Sequence, residues 1–509
     1  MSLTQMSARE RGWSTVAEPV DGPTHEPLNR WGRWKAPTYL KRGSGARDLR
    51  LVAGSAVLGL AVAVGAALAA GPWDSGQRKA ERGRAAVQER AGGAHHQGEA
   101  TDGPAPAPSA PPVLRALGNT AGLSAQAGAT ALGAALDPLL DSPALGAVRT
   151  AVVVDVATGK QVYADGAATP MTPASTVKIA TAAAALSALG PGHRIATTVR
   201  LSPDSRTLTL VGGGDPTLDE AALRSLAADT ARSLRDGGAG TVRLRYDTSG
   251  YSGPAVHPIG PNENIASVSA LMADEGRLDG SVRGPAPRTA DPAGDAARAF
   301  ADLLDDAGVD TRSAPEAGRA VGGSRTVATH LSKPLSALVE RTLTNSDNDL
   351  AEALARQTAI EAGEPASFAG ARRAVTARLK ALGLPLKGAH LADGSGLDRA
   401  DKVTAALLAQ LLALAAGPDH PELRPVLTGL PVAGFSGTLG DRYTATSRGT
   451  GLIRAKTGTL TGVNSLAGTA VDARGRLLAF AFLASGTTSP GEAEASLDAL
   501  ATALTKGGR

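Results

Sequence analysis

"TPASTVKIAT", residues 172–181, sets Ser175 three residues before Lys178. On a helix, positions i and i+3 lie on one face, one above the other. A serine hydroxyl is a poor nucleophile until a neighbouring base takes its proton. Lysine serves as that base when burial or a second cation keeps it neutral. The same ten residues also read as an ordinary helix start, with Ser175 as a cap and Lys178 in solvent. The rest of the chain decides between the two.

Two further stretches bear on the choice. "TNSDNDL" (344–350) contains Ser346-Asp347-Asn348, and "AKTGTL" (455–460) contains Lys456-Thr457-Gly458-Thr459. The chain has eleven lysines, of which only Lys178 has a serine three before it, and seven asparagines, of which only Asn348 has a serine two before it. Lys-Thr-Gly occurs once. The order Ser-x-x-Lys, Ser-x-Asn, Lys-Thr-Gly resembles the motif set of the penicillin-recognising serine enzymes, β-lactamases and penicillin-binding proteins. The local patterns around the three are a helix start, a loop between helices and a strand.

The residue types suit acyl transfer. Ser175 attacks a carbonyl and forms an acyl-enzyme. Lys178 and Lys456 are two cations at one site, each lowering the other's pKa, so that one is neutral and takes the serine proton. Ser346 passes a proton to the leaving nitrogen, and Asn348 holds Lys178 and the substrate amide. Lys456, Thr457 and Thr459 bind a terminal carboxylate. Gly458 lets substrate backbone approach closely. The backbone N–H groups of Ser175 and Thr459 are the natural oxyanion hole.

Accessory stretches narrow the family. "LTLVGGGDPTL", "YSGPAVHP", "LADGSGLDR" (391–399) and "LPVAGFSGTLGDRY" (430–443), with "TPASTVKI", resemble the D-alanyl-D-alanine carboxypeptidase/endopeptidase family, the class C low-molecular-mass penicillin-binding proteins. The resemblance runs from about residue 140 to the end. It implies that Ser175, Lys178, Ser346, Asn348 and Lys456 carry the family's catalytic roles. It also implies peptidoglycan stem peptides as substrate, β-lactam antibiotics as covalent inhibitors, and no cofactor. The inserted region is short for the family, with room for one extra domain rather than two. A β-lactamase is the alternative enzyme, although no glutamate is clearly placed for deacylation. An inactive cell-wall-binding scaffold is the alternative of a different class.

The element pattern predicts an α+β unit, transpeptidase/β-lactamase-like, closed by its two termini. A hairpin at 150–164 turns at Thr158-Gly159, and a helix runs from Ser175 to about Leu189, stopped by Gly190-Pro191. Strands are expected in "ATTVRLS", "RTLTLVG" and 241–247, and helices at 219–236 and 294–308. Together the stretch from about 197 to 329 reads as an inserted α/β subdomain. "GLIRAKTG", "VNSLAGTAV" and "RLLAFAFLA" read as neighbouring antiparallel strands, followed by a helix at 491–506. "GGGDP" (212–216) lacks both the Lys-Ser/Thr of a phosphate loop and the third spaced glycine of a dinucleotide site, so it reads as a tight turn.

Charge and composition exclude other classes. Of 52 Lys/Arg and 48 Asp/Glu, residues 1–50 hold nine and five, leaving 43 of each sign in the remainder. The excess of +4 therefore sits in the tail, and no basic stripe points to nucleic acid. The absence of cysteine removes disulfides and thiolate chemistry. Eight histidines show no metal-binding spacing. "LVAGSAVLGLAVAVGAALAAG" (51–71) is 21 residues without a charge, enough to span the roughly 30 Å core of a bilayer. The expected order is a basic cytoplasmic tail (1–50), a transmembrane anchor in membrane lipid (51–71), a Pro/Ala-rich linker (72–130) and an extracytoplasmic peptidase domain (131–509) in the cell membrane.

Overall fold

A computed structural model describes residues 125–237 and 241–506. The expected tail and anchor at 1–71, and the linker up to residue 124, lie outside the described residues. Among the described residues no helix is long and apolar enough to cross a membrane. The first helix, α1 (Ala125–Leu140), begins inside the stretch read as linker. Its apolar side packs against the last described helix of the chain.

Strands β1 (Val148–Asp155) and β2 (Gln161–Asp165) form the first hairpin. Its turn is held by the Asp155 carboxylate, which accepts from the Thr158 N–H and hydroxyl at 3.0 Å each. Helix α2 (Lys178–Leu189) follows. Nine of its twelve residues are buried. A helix buried on nearly all sides belongs at the centre of a domain, and its alanines let neighbouring helices approach closely.

Next come β3 (Ala196–Leu201), β4 (Thr207–Val211), α3 (Glu220–Asp236), β5 (Thr241–Asp247), α4 (Pro292–Asp306), the short β6 (Asp310–Thr311) and β7 (Glu316–Ala317), and β8 (Arg325–Leu331). These strands build a six-stranded sheet of order β6-β5-β4-β3-β8, with β7 also on β5. The α3 crossover makes β4 and β5 parallel, whereas β3 runs antiparallel to both β4 and β8. Leu223, Leu226, Leu234, Phe300 and Leu304 of α3 and α4 cover Val199, Leu208, Leu210 and Leu244 of the sheet. This small unit thus has an apolar core of its own.

The chain then forms α5 (Leu335–Asn345), α6 (Asn348–Glu361), α7 (Phe368–Ala381), α8 (Ala405–Ala416) and α9 (Arg424–Thr428). It closes with β9 (Ile453–Leu460), β10 (Val463–Val471), β11 (Leu477–Ser485) and α10 (Pro490–Leu504). The second sheet is antiparallel throughout, in the order β2-β1-β11-β10-β9. β1 lies against β11 from Val148↔Ser485 to Asp155↔Leu478, so early and late chain close one sheet. β1, β10 and β11 are buried on both faces, whereas the edge strand β2 is largely exposed. Val152, Val154, Ala479 and Ala481 face α2 and α8, while Ala151, Val153, Phe480 and Phe482 face α1 and α10. The alternation follows the two-residue period of a strand.

Two details connect this frame to the site. The glycine run after β4 is a junction with the helical body, since Gln357 of α6 donates to the Gly213 carbonyl at 2.8 Å. The long segment between β5 and α4 returns to the same helix, where Ala266 N–H donates to Asp349 Oδ1 at 2.9 Å and Arg288 pairs with Asp349 at 3.0 Å.

Candidate active site

Ser175 does not lie within the α-helix that the sequence predicts. It occupies a 3₁₀ turn, Ala174–Val177, and α2 starts at Lys178. In a 3₁₀ turn residues i and i+3 eclipse, which brings the hydroxyl and amine closer to alignment than α geometry does. Ala174 has φ +48°, the left-handed region that a β-carbon disfavours. The turn is pinned from outside: the Pro173 carbonyl accepts from the Ser465 hydroxyl of β10 at 2.6 Å. Ser175 is half-buried and stays accessible from solvent.

Lys178 is completely buried. Its ammonium donates to Ser175 Oγ at 3.0 Å, Asn348 Oδ1 at 2.7 Å and the Ser395 carbonyl at 2.5 Å. Burial pulls its pKa down to about 8, against the opposing pull of the Asp393, Asp347, Glu352 and Asp401 carboxylates. The Asn348 amide is oriented by its other end, because Nδ2 donates to the Asn264 carbonyl at 2.9 Å. Its oxygen therefore faces the lysine.

Ser346 ends α5 with φ +59° and ψ +38°, its N–H returning to the Thr342 carbonyl. Asp347 caps α6 by accepting from Leu350 N–H at 3.0 Å, and Asn348 is the first residue of that helix. The motif is thus a one-turn break between two helices. Glu275, from the segment between β5 and α4, pairs with Arg341 of α5 and with Arg277 at 2.7 Å. Arg341 also reaches Asp347 at 3.4 Å. Burial and the charge of Asp347 raise the Glu275 pKa. The Ser346 hydroxyl has no hydrogen-bond partner among the described residues.

On β9, Lys456 is also completely buried and donates to the Thr457 carbonyl at 2.8 Å. Burial, then the charges of Lys178 and Arg442, press its pKa well down. Burial is the main cause for both lysines. Lys178 adds to the depression of Lys456, whereas the charged neighbours of Lys178 are carboxylates that oppose its depression. Gly458 serves a contact the sequence did not reveal. A Cβ there would fall 2.6 Å from the Pro173 carbonyl oxygen, so the gap is filled by the chain's own turn before α2 rather than by substrate backbone. The Thr457 hydroxyl meets Thr438 at 2.8 Å, and the Thr459 hydroxyl donates to Glu494 of α10 at 3.0 Å. Ala455 N–H bonds outward to the Pro431 carbonyl. By strand alternation the N–H groups of Thr457 and Thr459 point to the same outer side.

Beneath Lys178 lies a polar cluster that sequence reasoning missed, although "LADGSGLDR" contains Asp393, Gly394 and Ser395 and "YSGPAVHP" contains His257. Glu352 Oε1 accepts from Gly394 and Ser395 N–H at 2.9 and 3.0 Å, and Arg356 takes its other oxygen at 3.1 Å. Asp393 accepts from Ser395 N–H at 3.0 Å and from His257 Nε2 at 2.9 Å. Burial would raise Asp393, but the His257 and Asp401 hydrogen bonds overcome it and hold the group low. Burial and the Asp393 charge push Asp401 up, so the proton of this pair sits on Asp401. His257, Glu352 and Asp393 offer ligand atoms within 4.8 Å of one another. The imidazole has no lone pair left for a metal, since Nδ1 accepts from Ile259 N–H at 3.3 Å and Nε2 carries the proton toward Asp393.

The helix-backed antiparallel sheet with an inserted second unit has the fold of a penicillin-binding protein. Penicillin binding protein 4 from Haemophilus influenzae matches with a TM-score of 0.61 over 73% of this chain and 98% of that one, at 22% identity. A model of the D-Ala-D-Ala carboxypeptidase 3 (S13) family matches residues 132–287 and 279–506, and the chain belongs to that family. It is 38% identical over 421 residues to a carboxypeptidase of Mycobacterium tuberculosis, covering 79% of this chain and 89% of that protein. Carboxypeptidase DacB of Mycolicibacterium smegmatis is 38% identical over 393 residues, 74% of this chain and 83% of its own length. A D-alanyl-D-alanine carboxypeptidase of an Actinomadura species is 30% identical over 464 residues, 74% of this chain and 85% of that protein.

Proposed function

We propose that this chain is a serine-type D-alanyl-D-alanine carboxypeptidase that trims peptidoglycan stem peptides through an acyl-enzyme on Ser175, and that β-lactams acylate the same hydroxyl. The observation that carries this reading is the set of partners around Lys178. A neutral amine has two N–H donors and one lone pair. Asn348 Oδ1 and the Ser395 carbonyl can only accept, so they take both N–H groups. The lone pair is left for the third partner, the Ser175 hydroxyl, 3.0 Å away. With its pKa at about 8, roughly one molecule in ten holds Lys178 neutral at pH 7.

The steps follow from that arrangement. Ser175 Oγ attacks the carbonyl carbon between the two D-alanines as its proton passes to Lys178. The Ser175 and Thr459 N–H groups hold the oxyanion. Ser346, its hydroxyl unpaired, relays a proton to the departing nitrogen, and water then hydrolyses the ester. Thr457 and Thr459 receive the terminal carboxylate. Its arrival beside Lys456 restores that lysine's proton, because an adjacent anion favours the cation. The names of the relatives support the carboxypeptidase reading, and the Haemophilus influenzae protein has been solved with a β-lactam bound. Glu352 is completely buried and holds Arg356 and the Gly394–Ser395 backbone, so it does not face the water that a β-lactamase's glutamate activates.

Residues 51–71 serve as a single-pass anchor in membrane lipid, with the catalytic unit on the outside where the substrate lies. The charge-free run in the sequence supports this. The protein is then expected to pellet with membranes and resist salt washing. A mature N-terminus near Ala70 would overturn the anchor.

Labelled penicillin tests the catalytic reading. Wild-type protein should form a stable adduct, and S175A should form none while melting normally. Retained labelling of S175A would move the nucleophile. Incubation with cross-linked and uncross-linked muropeptides should release D-alanine from the uncross-linked ones. Opening of cross-links would add endopeptidase action.

A further inference from the structure

We propose that His257, supplied by the segment between β5 and α4, is a positioning residue for Lys178, acting through Asp393 and the Ser395 carbonyl. The inference rests on the reading of Lys178 as the base for Ser175. Its physical content is a chain of contacts from the inserted region to the amine. His257 Nε2 donates to Asp393 Oδ2 at 2.9 Å. Asp393 in turn holds the 393–398 loop: it accepts from Ser395 N–H at 3.0 Å, Ser395 Oγ at 3.1 Å, Gly396 N–H at 2.5 Å and Asp398 N–H at 2.8 Å. The Ser395 carbonyl then accepts from Lys178 at 2.5 Å.

Every member of this chain is buried, His257 at 2% exposure and Ser395 at 0%. Water therefore does not replace a lost partner cheaply. The imidazole is fixed in place from two further sides. Ile259 N–H donates to Nδ1 at 3.3 Å, and the ring meets Phe368 of α7 edge-on at 5.2 Å between centroids. The loop it supports also touches the nucleophile turn, where a Cβ on Gly396 would fall 2.0 Å from the Ala174 carbonyl oxygen. Movement of this loop is thus felt on both sides of the Ser175–Lys178 pair. The Ser395 carbonyl decides which way the amine's lone pair points. If it withdraws, a neutral Lys178 has a free N–H and can present it, rather than the lone pair, to Ser175.

The prediction is a defect in the chemical step that depends on one N–H group. In His257→Phe the ring packing is kept and the donor is lost. His257→Gln keeps a donor at the reach of Nε2, whereas His257→Asn places its donor one bond short. Acylation by a chromogenic penicillin or cephalosporin, followed by stopped flow, separates the binding constant of the initial complex from the acylation rate constant. The expected result is an acylation rate constant at least about tenfold lower in H257F and H257N, with the binding constant unchanged and most of the loss recovered in H257Q. A wild-type rate constant in H257F overturns the proposal. So does equal behaviour of H257Q and H257N, a comparison that still applies if the phenylalanine variant fails to fold. S175A and K178A are measured alongside. Labelling retained in those two would sink the reading of nucleophile and base, whereas their failure beside a fully active H257F would sink only the role of His257.

Discussion

Gly458 on β9 and Pro173 at the turn that carries Ser175 leave no room for a side chain between them. A Cβ on Gly458 would lie 2.6 Å from the Pro173 carbonyl oxygen and 2.3 Å from the Ser465 hydroxyl. This contact sets the spacing between Ser175 on one side and Lys456, Thr457 and Thr459 on the other. G458A must push the strand from the turn. A displacement on the order of 1 Å costs about a hundredfold in a reaction that depends on alignment. The acylation rate by penicillin should fall by about that factor, with overpacking costing only about 1–3 kcal/mol in unfolding free energy. Acylation at the wild-type rate would mean that the strand's position is fixed elsewhere.

Lys178 ties both the rate and the stability to pH, and in the same direction. Its folded pKa of about 8 lies below the ordinary lysine value of 10.5. The acylation rate should therefore rise with pH through about 8, as the neutral amine fills. Stability moves the same way for a different reason. Between about 8 and 10.5 the unfolded chain holds the lysine proton and the folded chain does not, so raising pH favours folding. Below 8 both states are protonated and the cost of the buried charge is constant. The wild-type protein should gain stability relative to K178M across that window, on the order of 3 kcal/mol in all. Urea unfolding of both proteins at several pH values measures the difference. A flat difference would contradict a depressed lysine.

Lys456 has two proposed contributions that one comparison separates. As part of the carboxylate site it favours substrates that carry the anion. As a neighbour of Lys178 it influences acylation whatever the substrate's charge. K456A should slow acylation by benzylpenicillin far more than acylation by its methyl ester. Charge-assisted hydrogen bonds contribute roughly 1.5–3 kcal/mol, about ten- to a hundredfold, and that is the expected gap. Equal losses on acid and ester would remove Lys456 from the carboxylate site.

Glu494 places a carboxylate at the end of the cleft where a carboxylate is expected to bind. Its side chain accepts from the Thr459 hydroxyl at 3.0 Å. E494Q keeps an acceptor and removes the charge. The KM for a D-alanyl-D-alanine peptide should drop about two- to fivefold with kcat unchanged, and the advantage should shrink in high salt. A higher KM would show that Glu494 helps substrate binding.

Much of this protein is legible in its sequence, because its informative features are local. Ser175 with Lys178, Ser346 with Asn348, and Lys456 with Gly458 are pairs set by spacing within one turn or one strand, and few other lysines and asparagines compete with them. The alternating strands at 453–485 and the alanine-rich helix after Lys178 show their burial pattern directly, since period and hydropathy are properties of neighbours along the chain. Tertiary structure alone decided what faces what. It put Ser175 in a 3₁₀ turn, filled the space above Gly458 with Pro173, turned Thr459 toward Glu494, and buried Lys178 over a carbonyl 217 residues away, Ser395. It also joined His257 to Asp393 across 136 residues. Such contacts depend on packing between segments with no fixed separation along the chain. Burial is likewise a property of the whole fold, and burial is what lowers the pKa of these two lysines.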